Sequence, residues 1–182
     1  MKKRVLALLM LATTCVATSV HADDCVDYGM YVSGFAGGNM SHEHGHGIQF
    51  NPGIAGGAAL GYKFENNIRV EGEVAVRRNK IRHIDIHANT YSAMGNVYYD
   101  FENDSDFTPY IGAGAGYAKT EASMKIGHTN ISGSKNGFAY QGIGGVSYKI
   151  ADKTHLGLEY RYFIAHKQQH NHTVALSLKR YF

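Results

Sequence analysis

The residues of this sequence with chemical potential are its histidines and its alternating charges. The tract His42-Glu43-His44-Gly45-His46 places three imidazoles at i, i+2 and i+4, one side of an extended chain. His170 and His172 repeat the spacing near the end. Imidazole suits Zn, Cu and Ni, so His42, His44, His46, His170 and His172 form a candidate transition-metal set. A pH-responsive surface is the other reading, because imidazoles charge together below about pH 6.5. The spacing matches no defined structural zinc motif. A second group is Arg69, Glu71, Glu73 and Arg77, which alternate along one stretch, with Glu159 and Arg161 doing so along another. A third is Ser41 beside His42, the raw material of a nucleophile and its base.

The elements that must position these groups are strands. In 68 to 77, Ile68, Val70, Gly72, Val74 and Val76 alternate with Arg69, Glu71, Glu73, Ala75 and Arg77, a period of two. Leu156, Leu158, Tyr160, Tyr162 and Ile164 alternate in the same way with Gly157, Glu159, Arg161, Phe163 and Ala165. Comparable segments predict eight strands, near 28–38, 51–64, 68–79, 88–101, 107–119, 136–150, 154–166 and 172–182. Between them, 65–67, 102–106 and 151–153 are short and polar, whereas 39–50, 80–87, 120–135 and 167–171 are expected to be irregular loops. An even strand count with alternating short and long connections is the pattern of a transmembrane barrel. Apart from the N-terminal stretch, no apolar run reaches the roughly 18 residues of a membrane helix. Only a closed barrel would then satisfy the backbone in lipid.

Magnitude decides which face is inside. Turning Arg69 and Arg77 to lipid would cost about 2 to 4 kcal/mol each near the midplane, against a total stability of about 5 to 15 kcal/mol. The charged face therefore points inward. An eight-stranded interior is filled by side chains, so Arg69, Glu71, Glu73, Arg77, Glu159 and Arg161 are expected to form one lumenal ion-pair network. Lys63 and Lys179 lie nearer its turn end. The glycine runs 56–62, 112–117 and 142–145 relieve crowding on such an inner wall. Aromatics cluster near strand ends, Tyr62, Phe64, Tyr98, Tyr99, Phe101, Phe107, Tyr110, Tyr148 and Phe182 toward the turns and Tyr28, Tyr31, Tyr91, Tyr117, Phe138 and Tyr140 toward the loops, and those facing outward would form girdles. Strands one and six have no clear facing.

The N-terminus reads as a secretory signal over 1–22. Lys2, Lys3 and Arg4 precede the apolar 5–20, and Val20-His21-Ala22 supplies the cleavage site, which leaves 23–182 as the barrel domain. Removing the signal takes the basic count from 18 to 15 against 15 acidic residues, so the mature formal charge is zero and nucleic acid is not an expected partner. Cys25 is then the single remaining cysteine.

The segment Tyr160-Arg161-Tyr162-Phe163, followed by a last amphipathic strand ending on Phe182, resembles the surface-antigen or opacity-like family of small bacterial outer-membrane β-barrels. The resemblance implies an all-β, eight-stranded antiparallel up-and-down barrel with periplasmic turns and extracellular loops. It also implies that Phe182 belongs to the signal read by the outer-membrane assembly machinery. The partners it implies are outer-membrane lipid and a host or other extracellular ligand met through the loops, in a structural or adhesin-like rather than catalytic role. Adjacency of the first and last strands would bring His42 and its neighbours close to His170 and His172. A lipid-modifying barrel enzyme is the catalytic alternative, with Ser41 and His42 as its only candidates. A diffusion pore is disfavoured by the filled lumen.

Overall fold

The computed structural model describes residues 28–43, 51–81, 86–126, 129–165 and 169–182. The expected signal segment 1–22, Cys25, His44 and His46 lie outside them. Eight strands run β1 Gly29–Glu43, β2 Asn51–Lys63, β3 Ile68–Ile81, β4 Ile86–Asp100, β5 Phe107–Ile126, β6 Thr129–Ala151, β7 Thr154–Ala165 and β8 Gln169–Tyr181. Each pairs antiparallel with its sequence neighbour, and β1 pairs with β8 from Tyr31↔Tyr181 to Glu43↔Gln169, closing the barrel. The closure leaves no sheet edge within the wall. At the turn end, Asn67 and Lys153 take positive φ values of 65° and 61°, tightening the β2–β3 and β6–β7 corners.

Side-chain facing follows the alternation. Leu60, Val74, Val97, Ile111, Leu158, Leu176 and Leu178 are exposed on the outer wall, whereas Arg69, Glu71, Glu73, Arg77, Glu159 and Arg161 are buried within. A soluble protein would invert that arrangement. In the two strands whose facing the alternation leaves open, Tyr31, Phe35, Asn39 and Ser41 of β1 and Ala139, Gln141, Ile143 and Ser147 of β6 face inward. Outward aromatics pair at both ends of the wall. Tyr62–Phe64, Tyr99–Phe101 and Phe107–Tyr148 ring centroids lie 4.9, 5.1 and 4.7 Å apart at the turn end, and Tyr117–Phe138 lie 6.0 Å apart at the other. Ten residues of β6 separate Phe138 from Tyr148. At ~3.4 Å per residue and a tilt of about 40°, they span about 25 Å, the height of an outer-membrane apolar band.

Among the aromatics near strand ends, Tyr31, Tyr98 and Tyr110 are buried inside the lumen and belong to no girdle. Two expectations are corrected. Tyr28 and Tyr31 sit at the turn end, since β1 starts there: Tyr31 opposes Tyr181. Finally, the strands do not stop where their apolar face stops. β5 and β6 stay paired through Lys119↔Asn136 and Ser123↔Ser132 to Ile126↔Thr129, across most of the expected loop 120–135. A ladder leaving the apolar layer needs no apolar face, because water solvates both sides while the backbone bonds persist. The asymmetry between the barrel ends thus lies in strand overhang and not in connection length.

Candidate functional site

The lumen is filled in layers. At the turn end, Lys63 Nζ lies 2.6 Å from Glu102 Oε1 and 3.7 Å from Asp100 Oδ2. These residues line a vestibule of about 250 Å³ with Tyr28, His155 and Tyr181. Above it, Arg69 Nε approaches Asp100 Oδ2 at 2.8 Å and Arg69 Nη1 approaches Glu71 Oε1 at 3.4 Å. Tyr31 donates its hydroxyl to Glu71 Oε1 at 2.8 Å. The Arg69 guanidinium lies 4.4 Å from the Tyr98 ring centroid. Mid-barrel, Arg161 bridges the lumen, with Nη1 2.6 Å from Glu73 Oε2 on β3 and Nε 2.7 Å from Glu159 Oε1 on β7. Its guanidinium stacks 3.7 Å from the Phe35 ring. Asn96 and Tyr110 complete the carboxylates by donating to Glu73 Oε2 at 3.1 Å and Glu159 Oε2 at 2.9 Å. Between these two levels the void is only about 20 Å³, room for one water.

The single network expected from sequence is therefore two. Arg69, Glu71 and Asp100 form one, and Glu73, Glu159 and Arg161 the other. Arg77 joins neither. It makes no ion pair among the described residues, donates to Ser92 Oγ at 3.0 Å and stacks 3.8 Å from the Phe163 ring. Glu73, an acidic residue of the same strand, is four residues away, about 13 Å of backbone along β3. Lys179 also makes no ion pair among the described residues; it lies 5.4 Å from the Tyr110 ring and 5.8 Å from the Tyr31 ring.

At the far end an amide cluster caps the lumen. Asn39 Nδ2 donates to Asn79 Oδ1 at 2.8 Å and to Asn171 Oδ1 at 3.3 Å, and Thr173 donates to Asn39 Oδ1 at 2.8 Å. His170 and His172 alternate along β8 with Asn171 and Thr173 of this cap. The β1–β8 register sets His42 opposite His170 and Met40 opposite His172. The Nδ1 atoms of His170 and His172 hydrogen-bond the hydroxyls of Tyr162 and Tyr160 at 2.7 and 2.6 Å. Among the described residues no three His, Cys, Asp or Glu side chains gather as metal ligands. Ser41, expected in a loop, sits in β1 and is 8% exposed.

Residues 6–182 match the outer membrane protein β-barrel domain family. The chain belongs to that family. A Gluconacetobacter diazotrophicus outer membrane protein is 31% identical over 84% of this chain and 50% of its own length. The outer membrane protein PagN of Salmonella typhimurium is 28% identical over 76% of this chain and 75% of its own. The chain thus spans half of the first relative and three quarters of the second. Among solved structures, Neisserial surface protein A superposes with a TM-score of 0.69 at 22% identity, covering 85% of this chain and 97% of that one. Ail, the attachment invasion locus protein of Yersinia pestis, gives 0.62 at 21%, covering 85% and 99%. This outer-membrane barrel is accordingly placed with its apolar band in the outer membrane and its long-strand end outside the cell.

Sequence reasoning missed Asp100, Asn96, Gln141 and the Asn39–Asn79–Asn171 cap. A signal was present for Asn79, which continues the inward parity of Arg69 to Arg77, whereas Gln141 lies in a strand of unassigned facing and Asn39 and Asn171 in expected loops.

Proposed function

We propose that this outer-membrane barrel is a surface interaction protein, adhesin-like, acting through the strand extensions outside the membrane. The observation that carries the reading is the contrast between the barrel's two parts. Stacked ion pairs and amides fill the lumen from Lys63 to Asn39, which argues against a diffusion path. The polar β5–β6 hairpin, by contrast, runs well past the Tyr117–Phe138 girdle into solvent. A structural neighbour, Ail, carries attachment in its name and has been solved in complex with the heparin analogue sucrose octasulfate, which supports an extracellular-ligand role. The outward Phe182, whose amide donates to Met30 O at 3.1 Å at the periplasmic edge, fits the assembly-signal reading.

The test is attachment of a non-adherent bacterial host expressing the protein to host-cell monolayers and to heparin-coated surfaces. A variant with 121–134 replaced by a two-residue Asn-Gly turn is the comparison. Folding is checked for both by migration in cold SDS. Attachment conferred by the native protein and lost in the shortened, folded variant supports the proposal; equal attachment overturns it.

A second reading, transition-metal capture, is favoured by one observation, the His42↔His170 register with His172 two residues on. Tyrosine hydroxyls on Nδ1 of His170 and His172 are the kind of outer contact that orients a ligating imidazole. Titrating Zn, Cu and Ni into refolded protein and into a His42→Ala, His44→Ala, His46→Ala variant tests it. Stoichiometric binding lost in the variant is the expected result, and identical isotherms refute it.

A further inference from the structure

The turn end of the lumen opens into the vestibule of about 250 Å³, and its walls differ in chemistry. On one side stands the β4–β5 turn, with Asp100 at its root and Glu102 and Asp106 within it. On the other stand three rings: His155 of β7, Tyr181 of β8 and Tyr28 at the entry to β1, which are neighbours around the wall. In the closed order β8 and β1 lie opposite β4 and β5, so carboxylates face rings across the opening. His155 and Tyr181 meet edge to face, their centroids 5.5 Å apart. Tyr28 is turned toward the opening by Gly29, whose φ of 102° a residue with a side chain would adopt only under strain.

Carboxylates on one wall and ring faces on the other suit an organic cation, because the rings attract the same ammonium that the carboxylates neutralise. The vestibule already holds one such group of its own. Lys63 Nζ, 2.6 Å from Glu102 Oε1, lies 5.7 Å from the Tyr28 ring centroid. Lys63 and Arg69 together take up Asp100. The Asp106 carboxylate, by contrast, is engaged by no side chain among the described residues. Size narrows the ligand: about 250 Å³ is the space of roughly eight waters, short of the about 300 to 1,000 Å³ of sites for drug-sized molecules. A single lysine-like stem is of that scale. We infer that this vestibule is a binding site for an alkylammonium group entering from the periplasm, its charge on Asp106 and Glu102 and its stem against Tyr28, His155 and Tyr181. The inference uses the opposite end of the barrel from the surface-interaction reading and does not rest on it.

The surroundings favour a cation over an anion. Outside the lumen, the turn end sets Glu65, Glu102, Asp104, Asp106 and Asp152 against Lys149, Lys153 and Arg180, an acidic excess that draws cations to the opening. Of the two lysines in the lining, Lys63 is already held by Glu102, and the amide of Lys149 donates to Asp106 O at 3.2 Å. The ligand binds and does not pass, because the Arg69–Asp100 pair and a void of only about 20 Å³ close the lumen above. Two sources carry this chemistry, the lysine side chain of a periplasmic polypeptide and a free polyamine.

The experiment uses the full-length protein folded in lipid nanodiscs, at fixed ionic strength so that diffuse attraction stays constant. The probes are Nα-acetyl-lysine methylamide and spermidine, with Nα,Nε-diacetyl-lysine methylamide as the neutral control. Binding is read from backbone amide shifts in nuclear magnetic resonance spectra. Saturable shifts at 100–108 and around His155 and Tyr181 are expected with an ammonium probe and not with the neutral one. Asp106→Asn is expected to weaken binding roughly fivefold to tenfold and Tyr28→Ala roughly threefold. Asp152→Asn, at the same end but outside the vestibule, is expected to change it by less than about twofold. Migration in cold SDS checks that each variant is folded. Binding of the lysine derivative supports a polypeptide side chain as the source, and binding of spermidine alone supports a free polyamine. Shifts that never saturate, or that the neutral control reproduces, overturn the inference. Equal weakening by Asp152→Asn and Asp106→Asn also overturns it, leaving only a diffuse acidic surface. None of these outcomes bears on attachment by the shortened hairpin variant, so the two readings stand or fall separately.

Discussion

Replacing Arg161 by methionine probes the central claim about the lumen, that its charges are structural. The guanidinium is the common partner of Glu73 and Glu159, at 2.6 and 2.7 Å, and is 4% exposed. Methionine fills much of the volume but leaves two buried carboxylates facing each other without a cation. Breaking a buried pair from one side costs about 3 to 5 kcal/mol, and the lost stacking on Phe35 adds roughly 0.5 to 2 kcal/mol. The sum, about 4 to 7 kcal/mol, is a large part of an ordinary stability of about 5 to 15 kcal/mol. Arg77→Met is the internal control. It removes an equally buried guanidinium, but one that makes no ion pair among the described residues, so its cost is expected below about 2 kcal/mol. The triple variant Glu73→Gln, Glu159→Gln, Arg161→Met removes all three charges and is expected to recover most of the loss. Because the chain contains no tryptophan, the assay is urea unfolding in lipid vesicles read by far-ultraviolet circular dichroism, with cold-SDS migration as a second readout. Equal costs for Arg161→Met and Arg77→Met, or no recovery in the triple variant, would refute the reasoning.

The other predictions follow from facing, packing and assembly. Val74→Arg puts a charge on the outer wall at a site 63% exposed to lipid and is expected to cost about 2 to 4 kcal/mol by the same unfolding assay, whereas a comparable loss for Ser134→Arg above the band would contradict the placement of the membrane. A Cβ added at Gly112 overlaps the Tyr98 ring, so Gly112→Ala is expected to lose about 1 to 3 kcal/mol and to regain part of it in combination with Tyr98→Leu; additive losses would show that the two do not touch. Deleting Phe182 is expected to lower the amount of folded barrel in outer-membrane fractions several-fold while purified protein still refolds in detergent, and an unchanged membrane level would remove the assembly-signal role.

The sequence by itself determined the class, the strand count and the facing of most strands. The reason is local. A two-residue period carries its own assignment of faces, and the cost of Arg69 or Arg77 in lipid decides between them without reference to any partner. Where the alternation lacked charge, as in Tyr31 to Ala36 and around Gln141, that argument had nothing to weigh, and only the closed barrel assigned the faces. Partners across the lumen were likewise beyond the sequence. Glu71 and Glu73 are equivalent in the pattern, yet one meets Arg69 and the other meets Arg161 from a strand far around the wall. The stagger of the closed sheet sets which residues share a height, and that stagger is a property of the whole barrel. The overhang of β6 is decided in the same way. Its residues read as a polar loop because water accepts either face, and it takes the registers of β5, β6 and β7 together to show a paired strand with one open side.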